Sequence, residues 1–514
     1  MANAAVSAVL VSSAASAEAV AKLAHVQGPG SHFHDAQHVL QSYQTMGFQA
    51  THYGHARSIA QRMIRQQQPS KVYQMKDGAY VLVPREVGED GRQVRLDPVY
   101  PTLFMGVAAN LMGTGCREAV RFLVQEGIDR RPLATPEDGS EDQLMFSRLR
   151  EEYVAAHGHP PHPDEDAPLV HSFLSALVVS GGGIEHDLRR ACTEYTVQHY
   201  ASEAPASAPP PAPGGAAQVT FGNVAYPRQG SPDAQLFDGL MHIFADRLSA
   251  RQARQHAAAA AKPIPDKYED VCSWSVAPSE VWALCGLWLV DMLAEALAAL
   301  PPTADATAEG SGSNAASTDA AAGHRAEALA RARTTVVYWA SVQQVPLYSP
   351  SFVDGDIVRY VLPPSAGARG RLLVDLVRDV HSINKLAMLS KKTGMLICGG
   401  GVVKHHVCNA NLMRNGADLT IILNNGQEFD GSDAGAKPEE ALSWGKVRME
   451  GEFVKVYGEV STYLPLLVAE VFVPAVRQRR INDALPPRKK RASRSAKKPK
   501  KSVSATLPDE GEVA

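Results

Sequence analysis

Four short apolar runs, Ala176 to Val179, Met395 to Cys398, Leu419 to Leu423 and Val454 to Tyr457, predict strands buried on both faces. Stretches with helical periodicity lie among them, at Gly115 to Gln125, Leu372 to Leu389 and Val402 to Arg414. Strands alternating with helices predict an α/β fold: a doubly wound, mostly parallel, Rossmann-like sheet with helices on both faces. The most apolar helix-like stretch, Val281 to Leu300, contains Asp291 and Glu295, which favours a buried helix over a membrane span.

Other segments interrupt this pattern. Ala204 to Gln218 (APASAPPPAPGGAAQ) and Pro301 to Gly323, rich in Ala, Ser, Thr and Gly, offer too little apolar surface to offset the entropy of ordering, so both are expected to be disordered insertions. HGHPPHPDED carries His157, His159 and His162. Its prolines and lack of periodicity favour a solvated loop over a metal site. The expected organisation is an N-terminal extension at 1–25, one α/β domain at 26–484 and a basic disordered tail at 485–514.

Charge narrows the function classes. Net charge is −3, yet Arg488 to Lys501 holds nine basic residues and no acid, which leaves 42 Lys+Arg against 51 Asp+Glu in residues 1–487. An acidic body disfavours phosphate-backbone binding by the main domain and suits a cationic small molecule. The tail fits a nuclear signal or a solvated extension. The six cysteines show no paired spacing, and residues 1–24 lack a positive leader, so a cytoplasmic location in a reducing compartment is expected.

Two places join a strand, a glycine run and a helix: LVVSGGGIEHDL and MLICGGGVVKHH. Such turns let the backbone approach a ligand and aim helix N–H groups at an anion, but a tight turn with no ligand fits each one equally well. The stretch from Gly399 to Lys446, GGGVVKHHVCNANLMRNGADLTIILNNGQEFDGSDAGAKPEEALSWGK, resembles the active-site segment of the deoxyhypusine synthase family almost without interruption. The likeness continues through SINKLAMLSKKTGM and FVDG upstream, VKVYGEV and STYLPLLVAEVF downstream, and MGFQATHYG and MGVAANLMGTGCREAVRFLV near the N-terminus.

The resemblance implies a reaction. In that family NAD takes a hydride from spermidine, an enzyme lysine displaces diaminopropane, and the aminobutyl group passes to a lysine of translation initiation factor 5A. The family's lysine falls on Lys446; its work as a nucleophile requires the neutral amine, favoured by desolvation or a nearby cation. His405 matches the histidine near the reacting carbon. Asp433, Glu440 and Trp444 match the polyamine tunnel, with Glu185, Gly400, Asn409, Gly431 and Ser432 as further substrate positions. Read without the family, Asp430, Asp433, Glu439 and Glu440 are an ordinary acidic loop and helix start. Cofactor positions fall on Asn110, Leu111, Gly181, Gly182, Asp354, Asn425, Gly426, Glu459 and Val460. Glu459 replaces an aspartate, and Ala109 and Gly113 replace hydroxyl residues.

Two departures reverse local charge: Arg359 stands where the family has a second aspartate, and His186 where it has a glutamate. One charge pair at about 4 Å and an effective dielectric near 20 amounts to roughly 4 kcal/mol. Asp356, on a strand face shared with Asp354, is the nearby acid that could substitute. Family members are tetramers of dimers with sites at the interface, the lysine, tryptophan and acids from one chain and the histidine and second aspartate from the other. Loss confined to the facing half implies a partner subunit, a paralogue that supplies it. The alternatives are a weakly active or regulatory paralogue subunit of a hetero-oligomeric synthase, and a homospermidine synthase-like enzyme.

Overall fold

The computed structural model describes residues 25–30, 35–70, 72–76, 79–83, 98–128, 141–168, 170–198, 218–228, 230–261, 274–301, 314–361, 372–427, 429, 431 and 434–484. Its centre is a six-stranded sheet: β1 (Thr102–Val107), β2 (Ala176–Val179), β3 (Leu347–Tyr348), β4 (Thr393–Cys398), β5 (Ala417–Asn424) and β6 (Val447–Tyr457). The spatial order is 6-5-4-1-2-3 and every neighbouring pair is parallel. Every residue of β4 and β5 is buried, as continuous apolar runs require.

Successive side chains on these strands point to opposite faces. Phe104, Met395, Ile397 and Ile422 face the helices Leu376–Leu389 and Gly401–Leu412, meeting Ile383, Ala387, Val403 and Val407. Leu103, Met105, Leu396, Leu419 and Ile421 face the larger core, with helices Phe48–Met63, Cys116–Gln125 and Pro278–Ala298. The sheet is therefore covered on both sides. Pro278–Ala298 is long and apolar enough to cross a membrane, but it is packed inside the protein. Its Asp291 and Glu295 meet Arg325 and Arg247 at 2.7 Å each.

The insertions only partly follow expectation. Residues 204–217, 302–313, 1–24 and 485–514 lie outside the described residues. Residues 314–323, expected to be disordered, belong to the helix Asn314–Ala332. Alanine is the strongest helix former, and Ala328 and Ala332 are fully buried. Gln218 opens a strand of a small antiparallel sheet, Thr196–Val197, Gln218–Phe221 and Val224–Pro227. Asp354 and Asp356 share no strand; they lie in the loop before the short helix Ile357–Val361.

The histidine segment is not a solvated loop throughout. His157 stacks on Tyr153 at 4.1 Å. His162 is tucked against the Tyr338 ring, with Nε2 3.1 Å from Ser341 Oγ and Nδ1 without a partner. No metal-binding group of three ligands occurs among the described residues. Burial pushes His162 down to about 4, aided by Arg150. His406 is likewise pushed to about 4 by burial and then by His405. The unfolded chain takes up these protons near the ordinary value of about 6.5, before the folded chain does, so stability is present above that pH and falls as pH drops toward 4. Each such shift corresponds to about 3 kcal/mol. His162→Gln should therefore flatten the loss of thermal stability between pH 7 and 5, as read by melting; an unchanged slope would contradict it.

Candidate functional site

Lys446 is delivered by a helix ending. The helix Pro438–Ser443 stops at Trp444, and Gly445 adopts φ +72, a conformation costly for any residue with a Cβ. Gly445 N–H donates to Leu442 O at 3.0 Å and Lys446 N–H to Ala441 O at 2.9 Å, the two bonds of a Schellman ending. This is the local reason for SWGK. Lys446 O then accepts from Ala417 N–H at 3.1 Å as β6 begins beside β5. The same edge is pinned by Asp418, between Arg414 at 2.9 Å and Arg448 at 3.0 Å.

The side chain of Lys446 turns inward. The residue is 6 % exposed, and Nζ lies 5.3 Å from the centre of the Trp444 ring. Both border a cavity of about 260 Å³ that Glu440, His405 and Gly431 also line, over an apolar floor including Met395 and Ile422. His405 thus shares Lys446's own chain and cavity, contrary to the expected split that placed the histidine opposite. Helix Gly401–Leu412 runs over the face of β4 and β5 that forms this floor. Asn409 sits one turn beyond His405 on the same helix, half buried. Trp444 is 62 % exposed, so one wall stands open. Ser432 and Asp433 lie outside the described residues. A cation-holding aromatic, a carboxylate, an imidazole and a buried amine can together grip a cationic chain and attack its carbon.

The other positions line one edge. Asn110 and Leu111 follow β1, Gly181 and Gly182 follow β2, and Asp354 follows β3. Gly400 follows β4, Asn425 and Gly426 follow β5, and Glu459 and Val460 follow β6. All lie beyond the carboxyl ends of parallel strands, where such folds bind ligands, and strand order reverses between β1 and β4. Some glycines serve protein packing here. A Cβ on Gly400 would sit 2.6 Å from Ala434 Cβ, and one on Gly181 2.2 Å from Phe352 O. Gly113 leaves room for Phe221, whose ring would be 2.4 Å from an added Cβ. Glu459 caps its own helix, accepting from Ser461 N–H at 2.6 Å.

The facing half is occupied by other contacts. Glu185 is buried, accepts from Arg189 at 2.7 Å and from the Asp356 amide at 2.5 Å. His186 is enclosed by Tyr195, which it meets at 2.8 Å, and by the rings of Phe221 and Tyr226 at 5.0 and 5.7 Å. Burial, then Arg189 and Arg190, push it down to about 4, so it is neutral at pH 7 rather than a cation in the site. Arg359 is exposed and 3.6 Å from Asp356. These residues follow β2 and β3, whereas Lys446 precedes β6; four strand spacings, roughly 19 Å, separate β6 from β2. One chain does not bring the two halves together. Sequence reading also missed Asn424, Lys404 and Lys455, which hold the loop beside the cavity, because a side-chain bond to a carbonyl distant in the chain leaves no signal in a single sequence.

The fold is of the doubly wound, Rossmann-like α/β class. A family model described as deoxyhypusine synthase matches residues 38–129 and 290–471. The chain is 63 % identical to a deoxyhypusine synthase of Leishmania donovani, across 97 % of this chain and 98 % of that one. It is 42 % identical to one of Trypanosoma brucei brucei, across 93 % and 98 %, and 28 % identical to one of Candida glabrata, across 85 % and 86 %. The chain belongs to the deoxyhypusine synthase family, transferases that move an aminobutyl group in hypusine biosynthesis.

Proposed function

We propose that this chain transfers the aminobutyl group of spermidine to a lysine of translation initiation factor 5A, with Lys446 as covalent carrier, NAD as cofactor and a paralogous subunit as partner. The observation that carries the reading is the cavity that joins buried Lys446 to Trp444, Glu440 and His405. NAD, when bound, supplies the acceptor for a hydride from spermidine and later returns it. Residues that would hold it are the helix-start amides at Gly182 and Gly401, with Asp354 at the same edge for ribose hydroxyls; the Gly181 amide is given to Ser351 O at 3.0 Å. The space beside Gly401 is open, with nothing within 4 Å of an added Cβ.

The chain's own groups do the rest. Lys446 attacks the substrate imine carbon; the C–N bond to diaminopropane breaks, and the proton shed by Lys446 leaves on that amine. His405 holds the proton in transit. Glu440 pairs with a substrate ammonium, and Trp444 covers the alkyl chain. The lysine of factor 5A then displaces Lys446 in the same way, and the new imine is reduced. A partner chain is supported by the separation of Lys446 from Glu185 and Arg359 within one sheet. Cys116, Cys192, Cys285, Cys398 and Cys408 are buried and form no disulfide, which supports a reducing, cytoplasmic setting. The test is incubation with labelled spermidine, NAD and reductant, then mapping of the label. Label on Lys446, and product with factor 5A but not putrescine, is expected; label on another lysine would overturn the reading.

A further inference from the structure

We infer that Lys455 and Asn424 are positioning residues that staple the polyamine loop to the cofactor edge. The inference rests on the site reading above. Between Asn425 and Lys437 the described residues form no strand, so the carbonyls of Ala434, Gly435 and Ala436 need partners from elsewhere. Three consecutive ones receive side-chain donors from three different elements. Ala434 O accepts from Asn424 Nδ2 at 2.9 Å, Gly435 O from Lys455 Nζ at 2.6 Å, and Ala436 O from Lys404 Nζ at 3.3 Å.

Two of the three donors also hold the opposite side. Lys455 Nζ donates to Gly426 O at 3.0 Å, so a single ammonium binds one carbonyl from each loop. Asn424 donates through Nδ2 to Gly399 O at 2.8 Å and accepts from Gly426 N–H through Oδ1. Asn424 ends β5, and Lys455 stands on β6. Two adjacent strands of the rigid sheet therefore fix both the turn that follows β5 and the loop that carries Gly431 toward Glu440. An ammonium suits this work: it has three donors and no acceptor, and bonds from a charged donor are the stronger kind. Methionine matches its length with no donor.

Lys455→Met, Lys455→Arg and Asn424→Asp are compared with the parent in the full chain, within the oligomer in which it is active. Asn424→Asp keeps the acceptor for Gly426 and loses the donor to Gly399 and Ala434. Lys455→Met and Asn424→Asp should raise the KM for spermidine by about ten- to hundredfold, the size of one charge-assisted hydrogen bond, with kcat changed far less. Lys455→Arg should recover most of the loss. Hydrogen exchange should quicken at Ala434 to Lys437 and not in β5 or β6. An unchanged KM with unchanged exchange overturns the inference, as does a loss that Lys455→Arg shares or one that accompanies melting of the whole sheet in both variants. Absence of transfer by the parent fails the site reading instead, and leaves the exchange comparison to decide the roles of Lys455 and Asn424.

Discussion

Lys446→Ala loses aminobutyl transfer by on the order of 10⁴-fold or more, the scale expected when a covalent nucleophile is removed. Lys446→Arg falls as far, because it keeps the charge but not an amine that can form an imine. NAD binding survives in both, since the helix-start amides lie beyond the carboxyl ends of the strands and Lys446 precedes the amino end of β6. Folding survives as well: the Schellman ending is made by main-chain atoms, and Gly445 rather than Lys446 supplies its unusual conformation. Transfer is measured with labelled spermidine and factor 5A, cofactor binding by fluorescence, and folding by thermal melting. Transfer that persists in Lys446→Ala would sink the assignment of the carrier. Loss of transfer together with loss of cofactor binding would show instead that the site had collapsed.

The parts of this protein legible in its sequence are those where one local rule decides. The run Ala176 to Val179 is a strand as read, and Met395 to Cys398 falls within β4, because a parallel strand covered on both faces tolerates little that is polar. The lysine cavity was legible through a long motif rather than through geometry. Its residues come from β4, the helix Gly401–Leu412, β5, the loop that follows β5, the helix Pro438–Ser443 and the turn before β6, which nothing in the spacing brings together. What escaped depended on tertiary partners. The alanines of 314–323 look like low complexity until a helix packs their continuation against Pro278–Ala298. The hairpin at Gly222-Asn223 had a signal, a glycine at the first turn position with φ +56, but it adjoins a Pro- and Ala-rich stretch that masked it. His186 looked like a charge reversal. It is a neutral ring in an aromatic enclosure built by that hairpin.

The purified chain alone should be a poor enzyme, and co-expression with a paralogue carrying acids at the positions of His186 and Arg359 should raise its activity by orders of magnitude. The lysine half gathers Lys446, Trp444, Glu440 and His405 around one cavity on the β6 wing. The facing half on the β2–β3 wing offers a cation little: Glu185 is spent on Arg189, and Arg359, expected at the position of a family acid, is itself a cation. Losing one attraction at about 4 Å and an effective dielectric near 20 costs roughly 4 kcal/mol, about a thousandfold in binding, and repulsion adds to that loss. A partner that restores the acid removes that penalty without touching Lys446. Arg359→Asp is the cleaner single repair, since Arg359 is exposed and the change leaves the fold alone. His186→Glu places a carboxylate among Tyr195, Phe221 and Tyr226 and should cost stability, so the double variant should gain activity only partly. Full activity of the purified homo-oligomer would refute the need for a partner. So would an Arg359→Asp homo-oligomer, alone or with His186→Glu, that gains nothing while the co-expressed pair gains nothing either.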